Sequence, residues 1–350
     1  MAPAGERQVA LDVNPGSVPD PRAAGGKSRA SAVVDRLTGP TAERFGTIVF
    51  IIALGVYFTL ATPDGRFLSW SNITSILSTV AVLGVVSAGL TVVLVLGAFD
   101  LSIAGNTALA GLVAASVAVH TYSVGLAVIA AIATGGAVGI VNGLVVTRLG
   151  VQPFIGTLAM GLFILVGVQQ IVAPDGTIST GLPPSFASVG SERILNFPVV
   201  TLIAIGVFVL IGFLMRNTTI GRQMHAIGGN LEAARLSGIR IMTLQVVAFT
   251  ICGLCCGLAG FLQSSIFNVG SAETGANILL DAFTACFIGA STLAPGRFHI
   301  PGTAIGVLTL GMITNGLTLA GWSDNAVPIA NGCLLIIAVA AASMMRKRRA

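Results

Sequence analysis

The sequence predicts an all-α polytopic membrane protein of about ten transmembrane helices with both termini in the cytoplasm. Three observations carry that prediction. Of the 350 residues, 54% are hydrophobic and only 9% charged, whereas a soluble domain carries about 25% charged residues. Apolar runs long enough to cross a bilayer recur along the chain. Basic residues gather at alternate connections between those runs. So little charge cannot cover a water-facing surface, and the 44 glycines suit helices restrained by their neighbours.

Residues 1–45 are a different material, rich in Pro, Gly, Ala and Arg. They lack the apolar stretch of a secretory signal and are expected to form a disordered cytoplasmic tail. Within them Gly25-Gly26-Lys27-Ser28 imitates the end of a phosphate-binding loop, but Pro21 stands where that motif needs glycine. Any ATP is therefore hydrolysed elsewhere. Residues 46–345 form the transmembrane domain. A hydrocarbon core of about 30 Å needs roughly 20 residues per helix. Spans are expected near 46–62, 73–97, 102–120, 124–147, 154–172, 198–215, 244–267, 278–293, 301–320 and 326–345. The stretch 278–293 is short, and either spans or re-enters where protein or a water-filled cavity satisfies its backbone. Residues 346–350 are a basic cytoplasmic tail.

Charge asymmetry sets the orientation. Arg7, Arg22, Lys27, Arg29, Arg36 and Arg44 precede the first span. Arg148, Arg216, Arg222, Arg235, Arg240, Arg297 and Arg346-Lys347-Arg348-Arg349 fall on the same side. Only Arg66 and Arg193 of the 18 basic residues fall opposite. That side is cytoplasmic.

Gly135, Gly139 and Gly143 repeat at four-residue spacing, as do Gly253 with Gly257 and Gly302 with Gly306, which lets helix backbones approach closely. Cys252, Cys255 and Cys256 lie in an apolar run with no second ligand pair nearby, and read as packing residues.

The connection at 216–243 is the longest polar stretch within the membrane domain. Asn230 is a good N-cap, Glu232 sits in the first turn, and Gly238 is a good stop, so a short helix lies between them. Leu231, Ala234 and Gly238 share a face of it. Two readings stand: an interfacial helix on the membrane, or a knob seated in a groove of a soluble partner. A membrane anchor would show large aromatic or leucine residues instead.

The run Gly221-Arg222 … Ala226-Ile227-Gly228-Gly229-Asn230 … Ala233-Ala234-Arg235-Leu236-Ser237-Gly238-Ile239 resembles the coupling loop of ribose-type ABC permeases, relatives of the branched-chain amino acid permeases. Other segments match that family in the same order: Gly97-Ala98-Phe99-Asp100-Leu101-Ser102, Asn142-Gly143-Leu144, Pro153-Phe154-Ile155-Gly156-Thr157, Asp281-Ala282-Phe283, Gly289-Ala290-Ser291-Thr292-Leu293 and Asn315-Gly316-Leu317. The resemblance covers roughly residues 46–345. The chain departs from the pattern at Ala98-Phe99, where the family has Gly-Ile, and at Pro295-Gly296, where it has Gly-Gly. The resemblance implies the membrane subunit of a bacterial inner-membrane importer for a sugar or similar small polar solute. It implies a second permease copy, as in a homodimer, an extracytoplasmic solute-binding protein, and a cytoplasmic ATPase that uses ATP and Mg²⁺. Contact with that ATPase would fall on Gly228, Asn230, Glu232, Ala233, Ala234, Arg235, Leu236 and Gly238. No cofactor, metal or nucleic acid is expected on this chain.

Four intramembrane polar residues are candidates for the solute path: Asp100, Asn142, Asp281 and Asn315. A carboxylate in mid-span costs about 2.5–3.5 kcal/mol on insertion scales and normally faces a cavity or a partner. Asp100 either lines the path or caps the helix starting near Leu101; Asp281 lines the path, gates it or bonds nearby backbone. Asn142 and Asn315 either bridge helices or touch solute. His120, His225 and His299 are far apart in sequence and read as solvated surface groups. An alternative function is an ion-coupled secondary transporter relaying protons or sodium through Asp100 and Asp281. A membrane enzyme would need clustered acid, base or metal residues, and the sequence shows no such cluster.

Overall fold

A computed structural model describes residues 40–275, 277–293, 296–323 and 326–347. The expected tail over 1–39, its glycine-lysine motif, Pro295 and the last three residues lie outside the described residues. Helix α1 (Pro40–Ala61) begins inside the stretch expected to be unstructured. It is followed by α2 (Trp70–Val95), α3 (Ile103–Thr121), α4 (Val124–Arg148) and α5 (Pro153–Val172). Next come α6 (Pro184–Ser191), α7 (Val199–Asn217), α8 (Thr219–Gly229), α9 (Leu231–Leu236) and α10 (Ile241–Phe267). The chain ends with α11 (Ile278–Ala290), α12 (Ile300–Leu319) and α13 (Ala326–Lys347). Each expected span coincides with a helix, and among the described residues 7 helices are long and apolar enough to cross a membrane.

Helix ends follow the sequence. Ser69 caps α2 by accepting from the Asn72 N–H at 3.3 Å, and Ser123 does the same for α4 through Leu126 N–H at 3.4 Å. Such caps satisfy backbone donors that have no partner inside the helix. Helix α5 holds a π turn over Met160–Ile164, where Gly161 presses its backbone on Ser102.

Helix α11 explains the short apolar stretch. Its 13 residues rise only about 20 Å at 1.5 Å per residue, against a core of about 30 Å. It does not cross alone. An antiparallel ribbon pairing Thr177↔Ser271 and Ile178↔Gly270 precedes it, as does a 3₁₀ turn at Ala272–Gly275. Both lie between transmembrane helices, where their backbone groups find partners.

The core is glycine-driven. A Cβ on Gly135 or Gly253 would strike backbone of the opposite helix, as would one on Gly139 or Gly257, so α4 and α10 meet backbone to backbone. Gly302 and Gly306 meet α11 at Gly289 and Ala285 in the same manner. Cys252, Cys255 and Cys256 are buried, and a Cβ on Gly89 would fall 2.7 Å from that of Cys255. Thr91 and Thr303 share a hydrogen bond of 2.7 Å between α2 and α12. Without a hydrophobic drive between helices in lipid, close packing and such bonds hold the bundle.

Contacts between distant segments fix which ends lie together. Arg193 reaches Thr74 at 3.3 Å, and Asn72 reaches Asn315 at 2.9 Å. Together with the 177–271 ribbon they gather the start of α2 and the ends of α5, α10 and α12 at one end of the bundle. At the other end the backbone of Gly228 packs on the Val95 carbonyl.

Candidate functional site: a polar cavity and a capped helix pair

Helices α2, α10, α11 and α12 enclose a cavity of about 390 Å³. Thr79, Gln263, Asn277, Asp281, Thr314 and Asn315 give it a wall of hydroxyls, amides and one carboxylate. A second cavity of about 260 Å³ lies against α13 and shares Asn277, Asp281 and Thr314 with the first. Asp281 thus stands between the two spaces. It accepts a 3.1 Å hydrogen bond from the Asn331 amide. Asn315 accepts at 2.9 Å from Asn72, whose amide also donates to the Phe67 carbonyl. Asn315 therefore bridges helices and lines the cavity at once.

The other two candidates lie elsewhere. Asp100 is buried and accepts from the Ser102 N–H at 3.0 Å and the Ser102 hydroxyl at 2.6 Å. Asn142 donates to the same hydroxyl at 2.7 Å. This carboxylate–hydroxyl–amide chain ties the α2–α3 connection to α4. It does not line the polar cavity. Asp100 braces the turn that leads into α3; the helix itself starts at Ile103, with Ser102 at its cap position and no side-chain cap. Leu101 N–H donates to Thr157 at 2.9 Å, which secures the same connection to α5.

Phe99, one of the departures from the family pattern, stacks on Phe283 of α11 with centroids 6.0 Å apart and planes at 26°. Phe283 is buried and Phe99 half-exposed.

At the far end, α9 matches the expected short helix. Asn230 Oδ1 accepts from the Ala233 N–H at 3.0 Å, and Gly238 takes a φ of +75°, a left-handed conformation that suits glycine at a helix stop. Glu232 and Arg235 form an exposed ion pair at 3.6 Å. Ala234, however, is 4% exposed and faces its own chain, while Leu236 is 87% exposed. The outward surface is thus Leu231, Glu232, Ala233, Arg235 and Leu236, and of the small-residue face only Ala234 seats inward, with Gly238 exposed. Gly228 is small because its backbone packs against the Val95 carbonyl.

Sequence reasoning missed α8. Thr218 caps it by accepting from Gly221 N–H at 3.2 Å, and Met224 and Ile227 are its buried anchors. Their three-residue spacing behind a threonine was the available signal. His120 and His225 are exposed as expected, and His299 is half-buried. His120 bonds the Ser116 carbonyl at 2.7 Å, and His225 and His299 line one pocket together with Arg216 and Arg222.

Apolar helices packed through glycine, enclosing a polar cavity and presenting a capped helix pair at one end, are the build of a membrane permease subunit. The profile of the family described as branched-chain amino acid transport system / permease component matches residues 72–339. The ribose import permease protein of Escherichia coli K12 is 33% identical over 300 residues, which covers 85% of this chain and 92% of that protein. The L-arabinose ABC transporter permease protein of Azospirillum brasilense is 31% identical over 332 residues, 95% of each chain. The fructose import permease protein of Bifidobacterium longum is 30% identical over 302 residues, 83% and 85% of the two chains. No solved structure matches. The chain belongs to this permease family and is a multi-pass protein of the inner membrane.

Proposed function

We propose that the chain is the membrane subunit of an ATP-driven importer for a sugar, with solute passing through the polar cavity at Asp281. The observation that carries this reading is the wall of hydroxyl, amide and carboxylate groups set within apolar helices. Such groups exchange hydrogen bonds with a polyhydroxylated solute as it leaves water. Relatives named for ribose, L-arabinose and fructose support the solute class. In this reading the ends gathered around Asn72 and Asn315 face outward, toward a solute-binding protein. The α8–α9 pair faces the cytoplasm, all ten helices contribute to the membrane domain, and a second permease copy completes the path.

A cytoplasmic ATPase would dock on Leu231, Glu232, Arg235 and Leu236, burning ATP with Mg²⁺ on its own chain. Asp100 and Asp281 belong to separate hydrogen-bond networks, which does not favour an ion relay between them. The deciding experiment is reconstitution in liposomes with a cognate ATPase and solute-binding protein. Uptake of a labelled sugar should require ATP and both partners and should survive a protonophore. Uphill uptake by this chain alone, driven by an ion gradient, would overturn the reading.

A further inference from the structure

A basic pocket and an apolar groove run into one another along the face made by α2, α7 and α12. The pocket holds about 740 Å³ and is lined by Arg216, Arg222, His225 and His299. The groove holds about 360 Å³ and is almost wholly apolar, with Leu77, Ala204 and Leu308 on its walls. Phe208, Val209, Ile300 and Pro301 line both. The two spaces are therefore one channel with a charged end and an oily end. Its α7 wall runs from Thr201 to Asn217, about 24 Å at 1.5 Å per residue. One leaflet's share of the hydrocarbon core is about 15 Å.

Gly84 leaves room for this channel: a Cβ there would come within 3.1 Å of the Phe208 ring, which stands at the junction. Both ring nitrogens of His299 are buried and have no hydrogen-bond partner. No carboxylate is among the described lining residues. Burial and the nearby Arg297 hold His225 below the ordinary imidazole range, and burial with His225 does the same for His299. An anion would relieve this positive crowding.

We propose that the channel binds an anionic phospholipid, its phosphate on Arg216 and Arg222 and one acyl chain along Phe208, Val209 and Ile205. The side assigned to the headgroup rests on the topology proposed above. Basic pockets between transmembrane helices at the cytoplasmic boundary suit anionic headgroups. A soluble anion would have no use for the long apolar extension.

The test uses the full chain, delipidated in detergent and followed by native mass spectrometry. Phosphatidylglycerol, phosphatidylcholine of the same acyl chains, and inorganic phosphate are the probes. Phosphatidylglycerol should bind about thirtyfold more tightly than phosphatidylcholine, in keeping with two arginines at a surface. Arg216→Gln with Arg222→Gln should erase that preference, and Arg216→Lys with Arg222→Lys should keep it. Val209→Trp should weaken both lipids. Equal affinity for the two lipids, or a preference intact in the glutamine variant, would overturn the proposal. So would displacement of phosphatidylglycerol by an equal concentration of inorganic phosphate. Binding in detergent is independent of orientation, which is read separately by labelling a Gly229→Cys variant from either side of sealed vesicles. Labelling from outside would sink the topology and leave the lipid result standing.

Discussion

The Asn331 amide of α13 donates to the Asp281 carboxylate of α11 at 3.1 Å, at the partition between two cavities. A carboxylate held by a single amide keeps acceptor capacity for another donor, such as a solute hydroxyl. Asp281→Asn preserves size and removes charge. Uptake by the reconstituted importer should fall about tenfold or more, the scale of a hydrogen bond to a charged group, while ATPase binding persists. Normal uptake would leave Asp281 a purely structural part.

Leu236 stands 87% exposed beside the Glu232–Arg235 pair. Leu236→Asp should abolish co-purification of the ATPase while changing the chain's own stability by less than about 0.5 kcal/mol, as expected of a surface change. Ala234→Trp should weaken association as well, but together with a fall in thermal stability, because Ala234 is buried in its own chain. Retained co-purification in the Leu236→Asp protein would move the docking surface elsewhere.

Gly253 faces Gly135 and Gly139 with no room for a Cβ. Gly253→Val should separate α4 from α10 at a cost of about 1–3 kcal/mol, read as a lowered midpoint in thermal unfolding in detergent. An unchanged midpoint would mean that the two helices are not bound through this contact.

His225 and His299 have imidazoles held below the ordinary value of 6.5. The unfolded chain therefore binds protons first as acid is added. Stability is full above about pH 6.5 and falls as the pH drops from there toward the folded values. Thermal midpoints in lipid-free detergent should decline from pH 7.5 to 5.5, and the decline should shrink in the His225→Gln, His299→Gln double variant. An equal slope in both proteins would assign the effect to other groups.

Phe99→Ile, which installs the family residue, removes a ring–ring contact at 6.0 Å. Such pairs contribute about 0.5–1.5 kcal/mol beyond their area. A modest loss of stability with ATP-dependent uptake retained is expected, measured side by side in the same liposomes. Loss of uptake would give the stacked pair a part in transport.

The helices were legible because lipid demands long apolar runs, and the positions of α2, α4, α7 and α10 follow from that alone. Glycine spacing announced that α4 and α10 each pack closely on a neighbour, since only close backbones need it; that they pack on each other is read from the fold. Asn230 and Gly238 announced the ends of α9. Which way α9 faces was not legible: Leu231, Ala234 and Gly238 share a side by spacing, but tertiary contact decides that Ala234 turns inward. Asp100 and Asp281 look alike in sequence, and only the fold shows that Ser102 occupies the first while a cavity meets the second. His225 and His299 are 74 residues apart, and their meeting depends on α7, against which α8 and α12 both pack.

Helix α10 is one unbroken rod of 27 residues, about 40 Å long. Its foot follows α9 after four residues, and Gln263 near its head belongs to the cavity wall. No proline interrupts it. A tilt imposed at the foot must arrive at the head as sideways travel, carrying the interlocked α4 along. In the function proposed above, the lining of the polar cavity is thereby geared to whatever docks on α9, with no relay of rotamers in between.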